Sequence, residues 1–242
     1  MRRILFVLTA FALVSTIWVG TAAANHSWGN YHWARTANPF TVPLGDNVTN
    51  TAYSNWDGAL GEASADWTAS SVLNSPVTSG QAGNAKRCRA TNGRIEVCNS
   101  RYGYNGWLGL AQIWTTGSHI VKAVTKVNDT YFNSGAYSYT AERHVMCQEI
   151  GHGYGLDHQD ESGADLNTCM DYSNALDNPR PNAHDYQQLE SIYSHLDSTS
   201  TVSSTTATTG RVIHRSDWIH SSYIVRDLGG GHLLHTFVTW AH

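Results

Sequence analysis

Between Gln148 and His158 the chain reads QEIGHGYGLDH, and no other segment restricts the fold so tightly. The residues before it, YTAERHVMC, continue a helical pattern that the following glycines stop. Positions four apart on a helix share a face and lie roughly 6 Å apart along the axis, so Gln148 and His152 can converge on one ion. Glu149 turns aside from them but can reach a water held by that ion. Gly153 and Gly155 let the backbone leave the helix sharply, and His158 then swings back as a third ligand. Three protein ligands leave a coordination position open, which a catalytic metal site needs and a structural one lacks. His144 stands eight residues before His152, roughly 12 Å along the axis. That is too far for a shared ion with bonds of about 2 Å, so His144 is expected on the helix surface or behind the ligands. Gln148 offers an amide oxygen, a neutral and harder donor than imidazole, which lowers zinc affinity.

The segments around this helix read as an α+β arrangement. NTAYSNWDGALGEASADWTAS places Tyr53, Trp56, Leu60, Ala63 and Trp67 at helical spacing. SVLNSPVTSG and RIEVCNS read as strands, and GWLGLAQIWTTG and HIVKAVTKVND as stronger ones with β-branched bulk. DYQQLESIYSHL aligns Tyr186, Leu189, Ile192, Tyr193 and Leu196 on one face of a second firm helix. STSTVSSTTATTG (198–210) is a Ser/Thr-rich linker, and 211–242 holds three short strand-like runs. That last segment is too short for a core of its own and is expected to dock on the main domain or form a small appendage.

The chain opens with MRR, a long apolar run and TAAA, the pattern of a secretory signal peptide over residues 1–24, followed by a main domain over 25–197. An uncleaved anchor is the competing reading, and the small residues before Asn25 favour cleavage. A secreted protein without stable membrane association follows. A formal charge of -4 gives no electrostatic basis for a nucleic-acid partner. In an oxidising compartment the four cysteines form disulfides more readily than metal sites. Three pairings are possible, and sequence alone does not choose among them. The turn-like TNG between Cys88 and Cys98 suggests that this pair closes a local hairpin, which leaves Cys147 with Cys169. Asn25, Asn47 and Asn128 begin N-x-[ST] triplets. Asp160, Glu161 and Asp165 form a solvated turn and not a calcium loop. His184, His195, His232 and His235 read as surface or packing residues.

QEIGHGYGLDH resembles the H-E-x-x-H-x-x-G-x-x-H signature of the metzincin metallopeptidases, with Gln148 in place of the first histidine. Downstream, NTCMDYS resembles the Met-turn segment, with Met170 at its methionine and Tyr172 at a tyrosine that several metzincins keep. Members of the gametolysin-like branch carry Gln at the same place. The resemblance spans about residues 50–197, with its motifs in 144–172. It implies a metzincin-like catalytic domain: a twisted mixed sheet, an active-site helix, a Met-turn and a C-terminal helix, followed here by a short β-rich tail. It also implies Zn2+, or another divalent transition metal such as Cu2+, held by Gln148, His152 and His158. Glu149 would be the general base, Tyr172 a stabiliser of the oxyanion, and Gly155 and Met170 structural supports. A protein or peptide would be the substrate, and the edge strand within GWLGLAQIW would bind it by strand addition.

Two other function classes are compatible with these residues. One is a catalytically inactive secreted binding protein on the same scaffold. The other is a carbohydrate-binding or wall-attached module that relies on the aromatics and the tail. The sequence leaves the substrate, the metal's identity and the oligomeric state open.

Overall fold

The computed structural model describes residues 26–160, 162–202 and 223–241. The expected signal segment, Asn25, Glu161, the Ser/Thr segment beyond Val202 and the run RVIHRS lie outside the described residues. In chain order the elements are β1 (His32–Trp33), β2 (Phe40–Thr41), β3 (Leu44–Asn47), α1 (Trp56–Thr68), β4 (Leu73–Asn74), β5 (Val77–Ser79), β6 (Thr91–Asn92) and β7 (Ile95–Ser100). They continue with β8 (Trp107–Thr116), β9 (His119–Asn128), α2 (Asp129–Phe132), α3 (Tyr139–His152), α4 (Ala183–Ile192), β10 (Tyr223–Gly229) and β11 (His232–Trp240). The fold is α+β, with one mixed sheet and few helices.

β9 organises the sheet. Its β-branched residues favour extended backbone, and alternate side chains leave opposite faces. Ala123 and Val127 enter the main core, while Val124 joins a smaller cluster around Cys88 and Cys98. β9 pairs antiparallel with β8 and parallel with β7, and the sheet runs β10-β11-β8-β9-β7-β3-β5. β1 and β6 add to β9, parallel and antiparallel respectively. β2 and β4 form a separate parallel pair.

α1 and α3 share the core with the sheet. Trp56, Leu60, Ala63 and Trp67 are all buried, as their spacing predicts. Trp67 crosses to α3, where its Nε1–H donates to Cys147 O at 3.1 Å. Tyr53 departs from the expectation: it is 65% exposed and precedes the helix. The Asn55 side chain accepts from Gly58 N at 3.2 Å and starts α1 there. Leu196 likewise lies beyond α4 and is 58% exposed. The helix ends at Ile192, although Tyr193 stays buried.

Both disulfides, Cys88–Cys98 and Cys147–Cys169, are formed. The local hairpin expected around the first is not. β6 and β7 each pair with β9 rather than with each other. Asn128 is no candidate for glycosylation, because it is buried and its amide donates to Gly103 O, Asn105 Oδ1 and Trp107 O.

The C-terminal segment docks as a hairpin. Gly229, Gly230 and Gly231 all take positive φ between β10 and β11, a backbone that residues with a Cβ rarely adopt. β11 then pairs antiparallel with β8 from Thr116 to Trp107. Among the described residues no helix is long and apolar enough to cross a membrane.

Candidate metal centre

α3 carries the centre. Ser138 caps it, its hydroxyl accepting from Ala141 N at 3.2 Å. Gly109 on β8 lets the helix approach the sheet: a Cβ there would lie 2.5 Å from both Glu149 Oε1 and Val145 Cγ1. Thr125 on β9 donates to Glu149 O at 3.1 Å. Gln148, Glu149 and His152 are all buried.

Past the helix the backbone reverses at Gly155, which has φ +94°. A Cβ at Gly155 would sit 2.3 Å from Tyr31 O, so only glycine fits. The N-terminal segment braces the loop beyond it: Trp28 N donates to Gly155 O at 2.9 Å and Asp157 N to His26 O at 2.8 Å. His158 is thereby brought to His152, with ring centroids 4.8 Å apart and planes nearly perpendicular. Tyr172 lies with its ring 4.9 Å from that of His158. Met170 runs beneath α3, where its Sδ would be 2.5 Å from a Cβ on Gly151. The Cys147–Cys169 bridge joins this segment to the helix at the residues adjoining Gln148 and Met170. All the sequence-predicted site residues therefore lie in one region.

His152 and His158 offer donors of the kind a divalent transition ion takes. His152 Nδ1 faces Leu156 O at 2.9 Å and donates its proton there, so Nε2 carries the lone pair. That Nε2 is buried and has no protein partner. Burial lowers the His152 pKa to about 4, and burial with neighbouring His152 lowers His158 well below its usual value. Both imidazoles are thus held in the neutral form that binds metals. The Gln148 amide is oriented by its Nε2–H, which donates to Asp171 O at 2.8 Å, and its Oε1 points the other way.

Glu149 is wholly buried, which pushes its carboxyl up to about 8 against the opposing hydrogen bonds of Thr239. Thr239 Oγ1 lies 2.5 Å from both Gln148 Oε1 and Glu149 Oε1. A hydroxyl has one proton for these two oxygens. Both contacts are satisfied when Glu149 is the neutral acid, donating to Oγ1, which donates in turn to Gln148.

Thr239 and Phe237 were not legible as site residues. Both come from β11, and the Phe237 ring stacks on His152 at 4.1 Å, nearly parallel. The register explains the contact: Thr239 pairs with Gly109 and Phe237 with Ala111. The edge of β8 expected to receive a substrate strand is therefore taken by the chain's own tail. His235, expected at the surface or in packing, is buried between Thr115 and Tyr223. His144 is buried too, not on the helix surface, since α3 is covered on that side as well.

The fold and site define an α+β protein with a His/Gln/Glu centre on a disulfide-tied helix. No protein-family model matches the chain, and no curated protein does either.

Proposed function

We propose that this chain is a secreted metal-dependent endopeptidase of the metzincin type. The observation that carries the reading is His152 Nε2, buried with its lone pair free, on the helix that carries Gln148 and Glu149 and with the His158 ring 4.8 Å from its own. Gln148, His152 and His158 would hold a divalent ion, zinc by preference, which when bound supplies Lewis acidity for peptide hydrolysis. Once the Thr239 contact is released and Glu149 is in its carboxylate form, it takes the proton of the attacking water and returns it to the leaving amine. The Tyr172 hydroxyl donates to the carbonyl oxygen as it gains charge. Met170 and the Cys147–Cys169 bridge keep the loop of His158 and Tyr172 against α3.

A second reading is a binding protein on the same scaffold, favoured by the amide at Gln148 and by Thr239 and Phe237 lying on the catalytic groups. Metal content and hydrolysis of a generic protein substrate separate the two. Glu149→Ala keeps the metal and loses hydrolysis, whereas His152→Ala loses both. Wild-type hydrolysis that survives Glu149→Ala unchanged refutes the mechanism.

A further inference from the structure

Away from α3, three imidazoles meet one carboxylate oxygen. The parallel pairing of β1 with β9 puts His32 beside His119. His195 and Asp197, just past α4, close over them. Asp197 Oδ1 lies 3.4 Å from His32 Nε2, 3.3 Å from His119 Nε2 and 3.7 Å from His195 Nε2. His32 and His195 bring their Nε2 atoms to 3.2 Å. Bonds of about 2.0–2.1 Å in a tetrahedron set neighbouring ligand atoms about 3.3–3.4 Å apart, close to the mutual distances of His32 Nε2, His195 Nε2 and Asp197 Oδ1.

The surroundings orient these donors. His32 Nδ1 faces Asn30 O at 2.7 Å and donates to it, which leaves a lone pair on Nε2. The other carboxylate oxygen, Asp197 Oδ2, is taken by Arg35 Nη1 at 2.8 Å, so Oδ1 is the one turned to the histidines. Lone pairs on His32 Nε2 and Asp197 Oδ1 then face each other, an arrangement that requires a cation between them. A cavity of about 440 Å³ opens onto the cluster and gives an ion a way in.

We propose that His32, His195 and Asp197 form a second site for a divalent transition ion such as Zn2+, with His119 alongside Asp197 and water completing the coordination. It is independent of the centre on α3 and ties the N-terminal segment, β9 and the end of α4 together. The test uses the full chain carrying His152→Ala, which removes the first centre, and Zn2+ alone as probe. The expected result is one bound equivalent of Zn2+, a raised Tm, and, with Co2+ in its place, the intense visible absorption of four-coordinate cobalt. Adding His119→Ala and His195→Ala, whose side chains are 35% and 51% exposed, loses that equivalent while the metal-free unfolding curve stays in place. Two results overturn the proposal: a His152→Ala protein that binds no zinc, or zinc affinity unchanged by the added pair. In either case a proton is the cation, and the cluster is an ion pair of Asp197 with a charged histidine.

A different observation carries a second inference, which rests on the peptidase reading of α3. β11 runs antiparallel along β8, and alternate residues Phe237 and Thr239 fall on His152 and on Gln148 and Glu149. We infer that the edge of β8 is a peptide-binding edge filled in cis by this tail. The partner it fits is an extended peptide with alternating apolar and hydroxyl side chains. A cleavage sequence placed after Val202 in the full chain allows the tail to be cut free, and a labelled peptide of residues 232–241 is the probe. The cut protein is expected to bind the peptide and the intact protein to exclude it. Cutting raises hydrolysis at least tenfold, and excess peptide reverses the gain. Failure of the cut protein to take up peptide overturns the inference, as does measurable hydrolysis that is equal before and after cutting. Peptide uptake without any hydrolysis upholds the edge and refutes the peptidase reading.

Discussion

Gly155→Ala probes how the loop of His158 is held. The new Cβ meets two separate penalties. Holding a residue with a Cβ at φ +94° costs about 1–2 kcal/mol. The Cβ would also lie 2.3 Å from Tyr31 O, a backbone atom with little freedom. Tyr31 N donates to Trp28 O, and His32 N donates to Ser118 O, both at 3.0 Å. Relieving the overlap means moving this brace, at about 1–3 kcal/mol for a forced insertion. The sum is about 2–5 kcal/mol, or roughly a 10 °C drop in Tm for a domain of this size. Gly163→Ala separates the two penalties, because Gly163 has φ +84° but nothing within 4 Å of its Cβ position. That control is expected to cost only about 1 kcal/mol after the loss of unfolded-chain entropy is counted. Urea unfolding of the two variants gives the comparison, and zinc titration shows whether His158 is displaced only in Gly155→Ala. If the two variants are equally destabilised, Tyr31 does not restrain the loop and the reasoning fails.

Gln148→His is expected to raise zinc affinity about tenfold or more, since imidazole replaces a weak amide donor. The lost hydrogen bond to Asp171 O costs about 1 kcal/mol of stability, and an unchanged zinc titration would show that residue 148 is not a ligand. Cys147→Ala with Cys169→Ala removes a bridge across 22 positions. Chain entropy sets the loss at about 3 kcal/mol, and denaturant unfolding that shifts by less than about 1 kcal/mol would contradict it. Burial raises Asp185 to about 6 from 3.8, so the folded chain binds the extra proton between these pH values. The Asp185 contribution is therefore fully present below about pH 4 and is lost as pH rises through 6, by at most about 3 kcal/mol. Asp185→Asn should remove that slope from urea unfolding measured at pH 4 to 7; a wild-type slope identical to the variant's would exclude the effect.

Much of the scaffold was legible because its signals are local. Trp56, Leu60, Ala63 and Trp67 declare a helix face, and the glycines after Ile150 mark where α3 ends. The turn chemistry between Cys88 and Cys98 pointed to the right partners for the wrong reason, since β6 and β7 each pair with β9 and not with each other. Tyr53 and Leu196 misled because apolar periodicity continued past Asn55 and Ile192, where capping decides the boundary. The contacts of Thr239 with Gln148 and Glu149 had no local signature. They depend on which strand β11 joins, and the run HLLHTFVTW has the same pattern on any edge. The cluster of His32, His119, His195 and Asp197 was hidden for a similar reason: three distant segments meet only once β1 has paired with β9.

The position of β11 in the sheet also dictates an order of events during synthesis. β8 ends at Thr116 and β11 begins at His232, so the hairpin of β8 and β9 emerges long before its last neighbour exists. Through that interval β8 presents an unpaired row of backbone groups above an apolar face, the kind of edge that recruits other chains. Early termination anywhere before His232 leaves this edge open permanently. Truncated products should therefore self-associate, and a cell making the protein quickly should accumulate nascent chains that need a holding chaperone until β11 arrives.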